Sequence, residues 1–150
     1  LEKLKQTREC RQCDLRGVEL PAVNLIGADL VRARLASANL RAANLKGADL
    51  SYADLYQADL SDVDLTGAKL ISADLFRANL IGAVLTESNL SYAGLIRANL
   101  KDADLRNAEL RGSMMMFSAL KGANLQGQQK LSRFCVSLIL RKQTSTSHSC

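Results

Sequence analysis

The sequence predicts an all-β solenoid, in which the chain winds into a coil with one short segment on each side. The first observation is a period of five: leucine fills 22 of the 23 positions that run from 15 to 125 in steps of five, and Met115 fills the other. Secondly, the position two residues before each of these holds only small residues, with Ala at 16 of the 23. Thirdly, Asp or Asn stands directly before 15 of the 23.

A period of five fits neither regular element. In a helix, residues five apart are rotated by about 140° beyond a full turn, so the leucines would form no stripe. In a straight strand, five is an odd number, so successive leucines would alternate between the two faces. A chain that bends after every five residues can instead point each leucine inward.

The other positions of the unit agree with such a bend. A large residue and a small residue two positions before it face the same way in an extended segment, which predicts a narrow and densely packed interior. Asp and Asn have short polar side chains that bond to nearby backbone, so their place before each leucine predicts a corner in every unit. The two residues after each leucine are variable and mostly polar, as expected outside.

Glycines support four units per coil. If a coil contains 20 residues, residues 20 apart lie above one another, and one column of second residues after leucine reads Gly27, Gly47, Gly67, Glu87, Asn107 and Gly127. Gly is the residue best suited to positive φ, and Asn is the next best. The column therefore predicts turns with a left-handed residue, as in type II turns. Glu87 interrupts it, which predicts a corner that is strained or built differently.

Tandem A(D/N)LXX motifs, such as Ala28-Asp29-Leu30, Ala48-Asp49-Leu50 and Ala98-Asn99-Leu100, resemble the pentapeptide-repeat family over residues 13–127. The resemblance implies a right-handed quadrilateral β-helix with four pentapeptides per coil, and 23 units then give nearly six coils. It favours a non-catalytic structural or protein-interaction module of unknown pathway. Some members of the family bind DNA topoisomerases such as gyrase as acidic, dimeric mimics of DNA, which makes a gyrase-binding role the alternative.

The distribution of charge disfavours that alternative. The chain has a formal net charge of +5, but residues 13–127 contain 12 basic and 13 acidic side chains. The coil is therefore nearly neutral and the ends are basic. A neutral coil is unlike an acidic DNA mimic, and it is equally unlike a surface that binds nucleic acid.

The repeat predicts four segments along the chain. Residues 1–12 form an N-terminal cap with Leu1 and Leu4 on a short amphipathic helix, residues 13–127 form the β-helix, residues 128–142 form a C-terminal cap, and residues 143–150 form a disordered tail. The caps are expected because a stack of coils exposes leucines at each end. The C-terminal cap fits a helix through Leu131, Phe134, Cys135, Leu138 and Ile139, and it also fits a strand through Phe134, Val136, Leu138 and Leu140.

No membrane insertion, cofactor, metal or catalytic residue is predicted. No apolar run approaches the about 20 residues that span a bilayer, and residues 1–12 are too polar for a signal peptide. The first residue is Leu rather than Met, which fits either a processed form or a fragment. The only histidine, His148, lies in the tail, and the repeat spacing of the carboxylates explains them as corner residues.

Two cysteines stand where the coil begins. The segment Thr7-x-x-Cys10-x-x-Cys13-Asp14-Leu15 resembles the beginning of many cyanobacterial and plastid-lumen pentapeptide-repeat proteins, in which such cysteines form a bracket. The resemblance implies a disulfide between Cys10 and Cys13, with two reduced, half-buried thiols as the alternative. Oxidised cysteines indicate the periplasm or the thylakoid lumen, and reduced ones indicate the cytoplasm.

One column of side chains predicts an interaction surface. The first residue after leucine on one side is Tyr56, Phe76, Ile96 and Met116 in successive coils, and Met114 and Phe117 lie beside the last of them. Exposed apolar patches of this kind serve as docking surfaces for another protein or as homodimer contacts. The alternatives are a ladder that stiffens the sheet and a surface covered by the C-terminal segment. Tyr52 and Tyr92 share another column, to which we assign no role.

Overall fold

A computed structural model of the protein describes residues 2–127. It begins with one α-helix, α1, at Glu2–Thr7, within the predicted N-terminal cap. Leu4 is buried against the first coil and belongs to the same apolar core as the repeat leucines, so the helix shields that end of the core. Leu1, the predicted C-terminal cap and the predicted tail lie outside the described residues.

After α1 the chain winds into coils of 20 residues. Each residue that precedes a core position forms a parallel β-bridge with the residue 20 positions later, from Glu9–Asp29 to Asp104–Asn124. All of these are isolated single-residue bridges, so within residues 2–127 the structure has no strand longer than one residue. Four units of five residues make up each coil, which gives it four sides.

We number the sides by their core residues. Side 1 contains Leu15, Leu35, Leu55, Leu75, Leu95 and Met115. Side 2 runs from Leu20 to Leu120 and side 3 from Leu25 to Leu125, both in steps of 20. Side 4 contains Cys10, Leu30, Leu50, Leu70, Leu90 and Leu110. Neighbouring residues within a column are therefore one coil apart.

Backbone hydrogen bonds join the coils three times per unit. In one unit the N–H of Leu30 donates to the carbonyl of Asp49 at 2.8 Å, and the N–H of Arg32 donates to Ser51 at 3.0 Å. The N–H of Asp49 donates back to the carbonyl of Ala28 at 2.9 Å. Because each coil is held to the next in both directions, the backbone that carries the interior side chains cannot shift without breaking ladder bonds.

A turn with a left-handed residue ends every unit, on all four sides. The N–H of Ala33 donates to the carbonyl of Leu30 at 2.9 Å, and Arg32 between them has a φ of 57°, as type II turns require. The prediction confined this feature to one column and was too narrow. The corner at Glu87 is also not built differently: its φ is 59°, and its N–H donates to Arg106 as the ladder requires.

Asp and Asn side chains complete these turns. In all 15 units where one of them precedes the core residue, its Oδ1 accepts the N–H two residues later, for example Ser51 N to Asp49 Oδ1 at 3.0 Å. This N–H is the one that the ladder leaves without a partner. Pro21 has no N–H, and it stands after Glu19-Leu20, where the side chain before leucine is too long for this turn. The corner role predicted for Asp and Asn is confirmed.

The interior is built of leucine and small residues, as predicted. The core residues from Leu25 to Leu105 are at most 1% exposed. Three of the small positions hold serine, and each buried hydroxyl donates to the carbonyl three residues before it: Ser88 to Leu85 at 2.7 Å, Ser113 to Leu110 and Ser118 to Met115. A buried hydroxyl without a partner would be destabilising, so this local bond allows serine at a position that alanine holds in most units.

The repeat begins earlier than predicted. Cys10 is buried at the position that leucine holds in other units, its N–H donates to Asp29 at 2.8 Å, and the N–H of Cys13 closes the turn back to Cys10. The coil therefore begins before residue 13, the predicted boundary. Because the core position holds cysteine, the leucine period alone did not reveal this unit.

Candidate interaction surface

The predicted column of apolar side chains forms a continuous strip on side 1. We define the apolar strip as Tyr56, Phe76, Ile96 and Met116, with Phe117 beside the last. The rings of Tyr56 and Phe76 stack in successive coils, with centroids 5.9 Å apart and planes inclined by 4°. Tyr56 is 37% exposed, Met116 is 47% exposed and Phe117 is 69% exposed. Phe76 and Ile96 between them are half-buried, so the strip is open to solvent mainly at its two ends.

The turn chemistry holds the strip in position. Each strip residue follows a core residue and points outward from the turn. The N–H of Tyr56 donates to Asp54 Oδ1 at 3.1 Å, and the N–H of Phe76 donates to Asp74 Oδ1 at 2.9 Å. The carbonyls of the same two residues accept ladder bonds from Ser37 N and Gln57 N at 2.8 and 3.0 Å. Since both backbone groups of each residue are bonded, a rigid frame presents the two rings.

A cleft of about 430 Å³ opens beside the strip. Gly94, which has no side chain, forms part of its floor, next to Met114 one coil later. Its walls include Tyr56, Phe76, Tyr92, Ile96, Asp74 and Met114. Tyr92 thus belongs to the same surface as the strip, although the sequence placed it in another column and gave it no role. The column that contains Tyr92 and the column that forms the strip meet at the corner between sides 4 and 1.

Charged residues border the strip on both sides. Asp54 and Asp74 precede the core residues of side 1. Arg77 follows Phe76, and its guanidinium lies 5.4 Å from the centroid of that ring, a cation–π distance. Tyr52, by contrast, packs with the guanidinium of Arg32 at 5.5 Å. The surface is therefore apolar along its centre, with carboxylates on one border and a ring-bound arginine on the other.

Three aspartates form close pairs with arginines, and each has a lowered pKa. Hydrogen bonding to Arg16 lowers the pKa of Asp14 to about 2. Hydrogen bonds from Arg11 and Arg106 lower the pKa of Asp29 and of Asp104 below the usual value in the same way. All three carboxylates also accept the turn N–H in their units, so their chemistry is accounted for by the corners.

The two cysteines of the predicted bracket lie together at the beginning of the coil. A disulfide joins Cys10 and Cys13, whose Cα atoms are 5.2 Å apart. A small depression beside them is lined by Lys3, Arg11 and Asp29. Both cysteines belong to the first coil, so the bond braces the first turn of the coil, close to the end of α1. Cys135 and Cys150 lie outside the described residues, as does His148.

Residues 2–127 contain no group of three or more His, Cys, Asp or Glu side chains arranged to hold a metal ion. Over the same residues no helix has the length and apolar character that a membrane crossing needs.

Comparison with known proteins agrees with this geometry. The sequence matches the family described as pentapeptide repeats in eight copies, over residues 9–47, 28–67, 38–76, 68–107 and 93–127. A search of curated protein sequences gives no significant match. Among solved structures, the chain is similar to Rfr23, a pentapeptide repeat protein from the cyanobacterium Cyanothece 51142. The identity is 32%, the match covers 83% of this chain and 95% of that chain, and the TM-score is 0.60.

Two further solved structures come from a cyanobacterium and a plant. HetL from Nostoc sp. strain PCC 7120, a pentapeptide repeat protein involved in heterocyst differentiation regulation, is 34% identical over 83% of this chain and 66% of that chain, with a TM-score of 0.48. A pentapeptide repeat protein from the Arabidopsis thaliana thylakoid lumen is 29% identical over 88% of this chain and 77% of that chain, with a TM-score of 0.43.

Proposed function

The chain belongs to the pentapeptide-repeat family, whose fold is a right-handed quadrilateral β-helix, and we propose that it is a non-catalytic module that presents one side of this helix to a protein partner. In this proposal nearly six coils form the rod, a cap closes each end, and no cofactor takes part. The pathway in which the partner acts is unknown.

The apolar strip is the observation that carries the proposal. The core of the described coils is already filled by leucines and small residues, so the exposed Tyr56, Met116 and Phe117 add nothing to it. Rigid apolar surfaces with aromatic residues at their centre are typical of protein interfaces. The strip and the cleft beside it combine a fixed ring pair, a notch and bordering charges, which is enough to distinguish one partner from another.

The charge of the coil favours a protein over a nucleic acid as the partner. Basic and acidic side chains nearly balance over residues 13–127, and several of them neutralise each other in pairs such as Arg16–Asp14 and Arg106–Asp104. Nucleic-acid binding relies on unpaired basic groups that release counterions. The same balance disfavours the gyrase-binding alternative, and a gyrase supercoiling assay that is unaffected by the protein is the expected result.

Quantitative capture tests the proposal. The wild-type chain and the double variant Tyr56→Ser/Phe76→Ser are used as baits in an extract of the source cell. The control is Ile26→Ser, which removes an exposed apolar side chain from side 3. Proteins retained by the wild type and by the control, but lost by the double variant, support the proposal. An identical set on all three baits refutes it, and an accompanying measurement of mass in solution shows whether a second copy is the partner.

We further propose that the Cys10–Cys13 bond forms in the cell and braces the first turn of the coil, on which α1 packs. Disulfides persist in oxidising compartments such as the periplasm or the thylakoid lumen, so this proposal places the protein there. Reduced cysteines would instead place it in the cytoplasm. Thiol counting on protein isolated under non-reducing conditions distinguishes the two, with two free thiols expected for the oxidised form and four for the reduced form.

A further inference from the structure

We propose that the cleft beside the apolar strip binds the guanidinium of an arginine in the partner protein. This role rests on the proposed function, because it takes the apolar strip to be the surface that meets the partner, and it adds the chemistry that this surface recognises. A carboxylate, aromatic rings and an open floor lie together in the cleft. Its volume of about 430 Å³ has room for one long side chain, since ligand pockets measure about 300–1,000 Å³.

Within residues 2–127, the carboxylate of Asp74 has no basic partner, although it lies in the cleft. Its Oδ1 accepts the N–H of Phe76 at 2.9 Å, which uses one of about four lone-pair positions that a carboxylate offers. Asp14 and Asp104, by contrast, are each paired with an arginine. Asp74 is also exposed, so it can accept hydrogen bonds from a cation that another molecule brings.

Gly94 leaves the floor of the cleft open next to this carboxylate. Asp74 and Gly94 are bridge partners in successive coils, and a Cβ added at Gly94 would lie 3.7 Å from Asp74 Oδ1. The φ of Gly94 is not in the left-handed region that the turns use, so the backbone does not require glycine there. Because glycine carries no side chain, a ligand can reach the carboxylate from this side.

The coil already contains a contact of the proposed kind. Tyr52 and Tyr92 share a column on the corner between sides 4 and 1, two coils apart. Arg32, one coil before Tyr52, places its guanidinium 5.5 Å from the centroid of that ring. One coil before Tyr92 the column holds Ser72, and both of these residues line the cleft. A partner's guanidinium can therefore pack beside Tyr92 as Arg32 packs beside Tyr52.

The aromatic walls of the cleft are held in place before a partner binds. The ring of Tyr92 lies against Gly112 of the next coil, where an added Cβ would meet its Cδ1 at 2.6 Å. Phe76 is stacked on Tyr56, and walls that are already ordered lose little entropy on binding. Such a site favours arginine over lysine, because a guanidinium is weakly hydrated and packs on a ring while it donates to a carboxylate in its plane.

Short peptides and NMR spectra of the aromatic rings test the inference in the full chain. The probe is acetyl-Leu-Arg-Leu-amide, and two matched probes replace arginine by citrulline, which is neutral and of similar shape, or by lysine. The chain has three tyrosines and three phenylalanines, so their ring signals can be followed separately. Tyr52 is the internal reference, because Arg32 already packs on its ring.

The arginine peptide should shift the ring signals of Tyr92 and Phe76 until they saturate, and it should leave those of Tyr52 unchanged. Its affinity should be about tenfold higher than that of the citrulline peptide, since an exposed ion pair and a cation–π contact act together. The lysine peptide should bind less tightly than the arginine peptide, because its ammonium is compact and strongly hydrated.

Two matched variants locate the charge that the peptide recognises. Asp74→Asn keeps an acceptor for the N–H of Phe76 and removes the charge, so the preference for arginine over citrulline should fall to about threefold, the part that the ring contact supplies. Asp54→Asn makes the same change one coil earlier, outside the lining of the cleft, and should leave the preference unchanged. Gly94→Met fills the floor and should abolish the saturable shift of Tyr92, with an intact coil by circular dichroism.

Three results would overturn the inference. They are equal affinities of the arginine peptide and either matched probe, equal losses of preference in Asp74→Asn and Asp54→Asn, and Tyr92 shifts that follow protein concentration alone, as a second copy in the cleft would cause. An arginine peptide that does not bind would also overturn it, but capture that depends on Tyr56 and Phe76 would then still support the proposed function. Failure of the capture experiment, in turn, would not alter the peptide affinities.

Discussion

Replacement of Leu55 by Ala tests how the vertical stack of leucines stabilises the coil. Leu55 is completely buried on side 1, between Leu35 and Leu75 of the neighbouring coils. The ladder holds all three in place, since Leu35 N donates to Asp54 at 2.7 Å and Leu55 N donates to Asp74 at 2.8 Å. Neighbouring side chains cannot collapse into the space that the substitution leaves.

The expected loss follows from the atoms removed. Three carbon atoms leave the core, and at about 0.8 kcal/mol per buried methylene their transfer amounts to about 2.4 kcal/mol. A cavity that does not collapse adds to this, so the free energy of unfolding should fall by about 3–5 kcal/mol, the upper part of the range for such substitutions. Leu20→Ala is the control, because Leu20 lies in the first coil with a coil on one side only, and it should lose roughly half as much.

Urea unfolding followed by circular dichroism measures both values under the same conditions. A loss below about 1 kcal/mol for Leu55→Ala, or equal losses for the central and the terminal leucine, would contradict stabilisation by stacked leucines. Equal losses would mean that the leucines act independently, without the support of leucines above and below.

Four further outcomes are expected. Asp59 accepts hydrogen bonds from Ser61 N, Ser61 Oγ and Asn79 Nδ2, so Asp59→Ala should lower the free energy of unfolding by about 1–2 kcal/mol. Asp59→Asn keeps the Oδ1 acceptor, so its free energy of unfolding should fall by less than half as much. Urea unfolding measures both values. Glu87→Gly should raise the melting temperature, because glycine adopts the positive φ of 59° without strain. Gly67→Ala should lower the melting temperature, because the φ there is 65° and the open space around it leaves only this backbone effect. The opposite signs would contradict the turn assignment. Cys10→Ser should destabilise the first coil by about 2 kcal/mol, the value for closing a four-residue loop. Faster amide hydrogen exchange should be confined to that end of the protein, and uniformly faster exchange would contradict a local role. Arginines lower the folded-state pKa of Asp14, Asp29 and Asp104, so these carboxylates contribute stability above the unfolded pKa of about 4. The free energy of unfolding should therefore stay flat from about pH 7 to 5 and fall between about pH 4 and 2. In Asp14→Asn the fall should be less steep.

Much of the fold could be predicted because each position of the unit has one physical task. A leucine every five residues excludes a straight helix or strand, and a small residue two positions earlier limits the width of the interior. Asp or Asn directly before the leucine supplies an acceptor for the N–H directly after it, which has no partner in the ladder. These constraints are local and repeat in every coil, so the sequence alone reveals them without knowledge of distant contacts.

The parts that sequence reasoning missed depend on tolerance or on neighbouring columns. Glu87 shows that a turn fixed by the ladder accepts positive φ in a residue that would rarely adopt it alone, so the glycine column was no guide to the other corners. Cys10 fills a core position with a small apolar side chain that is bonded to Cys13, and the leucine period alone does not reveal it. Tyr92 meets the strip across the corner between sides 4 and 1, in a cleft that Gly94 also lines, and residues of different columns become neighbours only once the corner is built.

If the coil contains 20 residues, residues 20 apart in the sequence are neighbours in space, and a disulfide between them tests this directly. The hydroxyls of Thr66 and Thr86 lie 3.3 Å apart in successive coils, so Thr66→Cys/Thr86→Cys, made in a chain with Cys135→Ser and Cys150→Ser, should close a second disulfide within the monomer on mild oxidation. The pair Thr66→Cys/Ile81→Cys, which joins different sides, should remain reduced. Intact mass and peptide mapping read the outcome, and a wound coil of 20 residues would be contradicted by failure of the first pair to close or by equal closure of both.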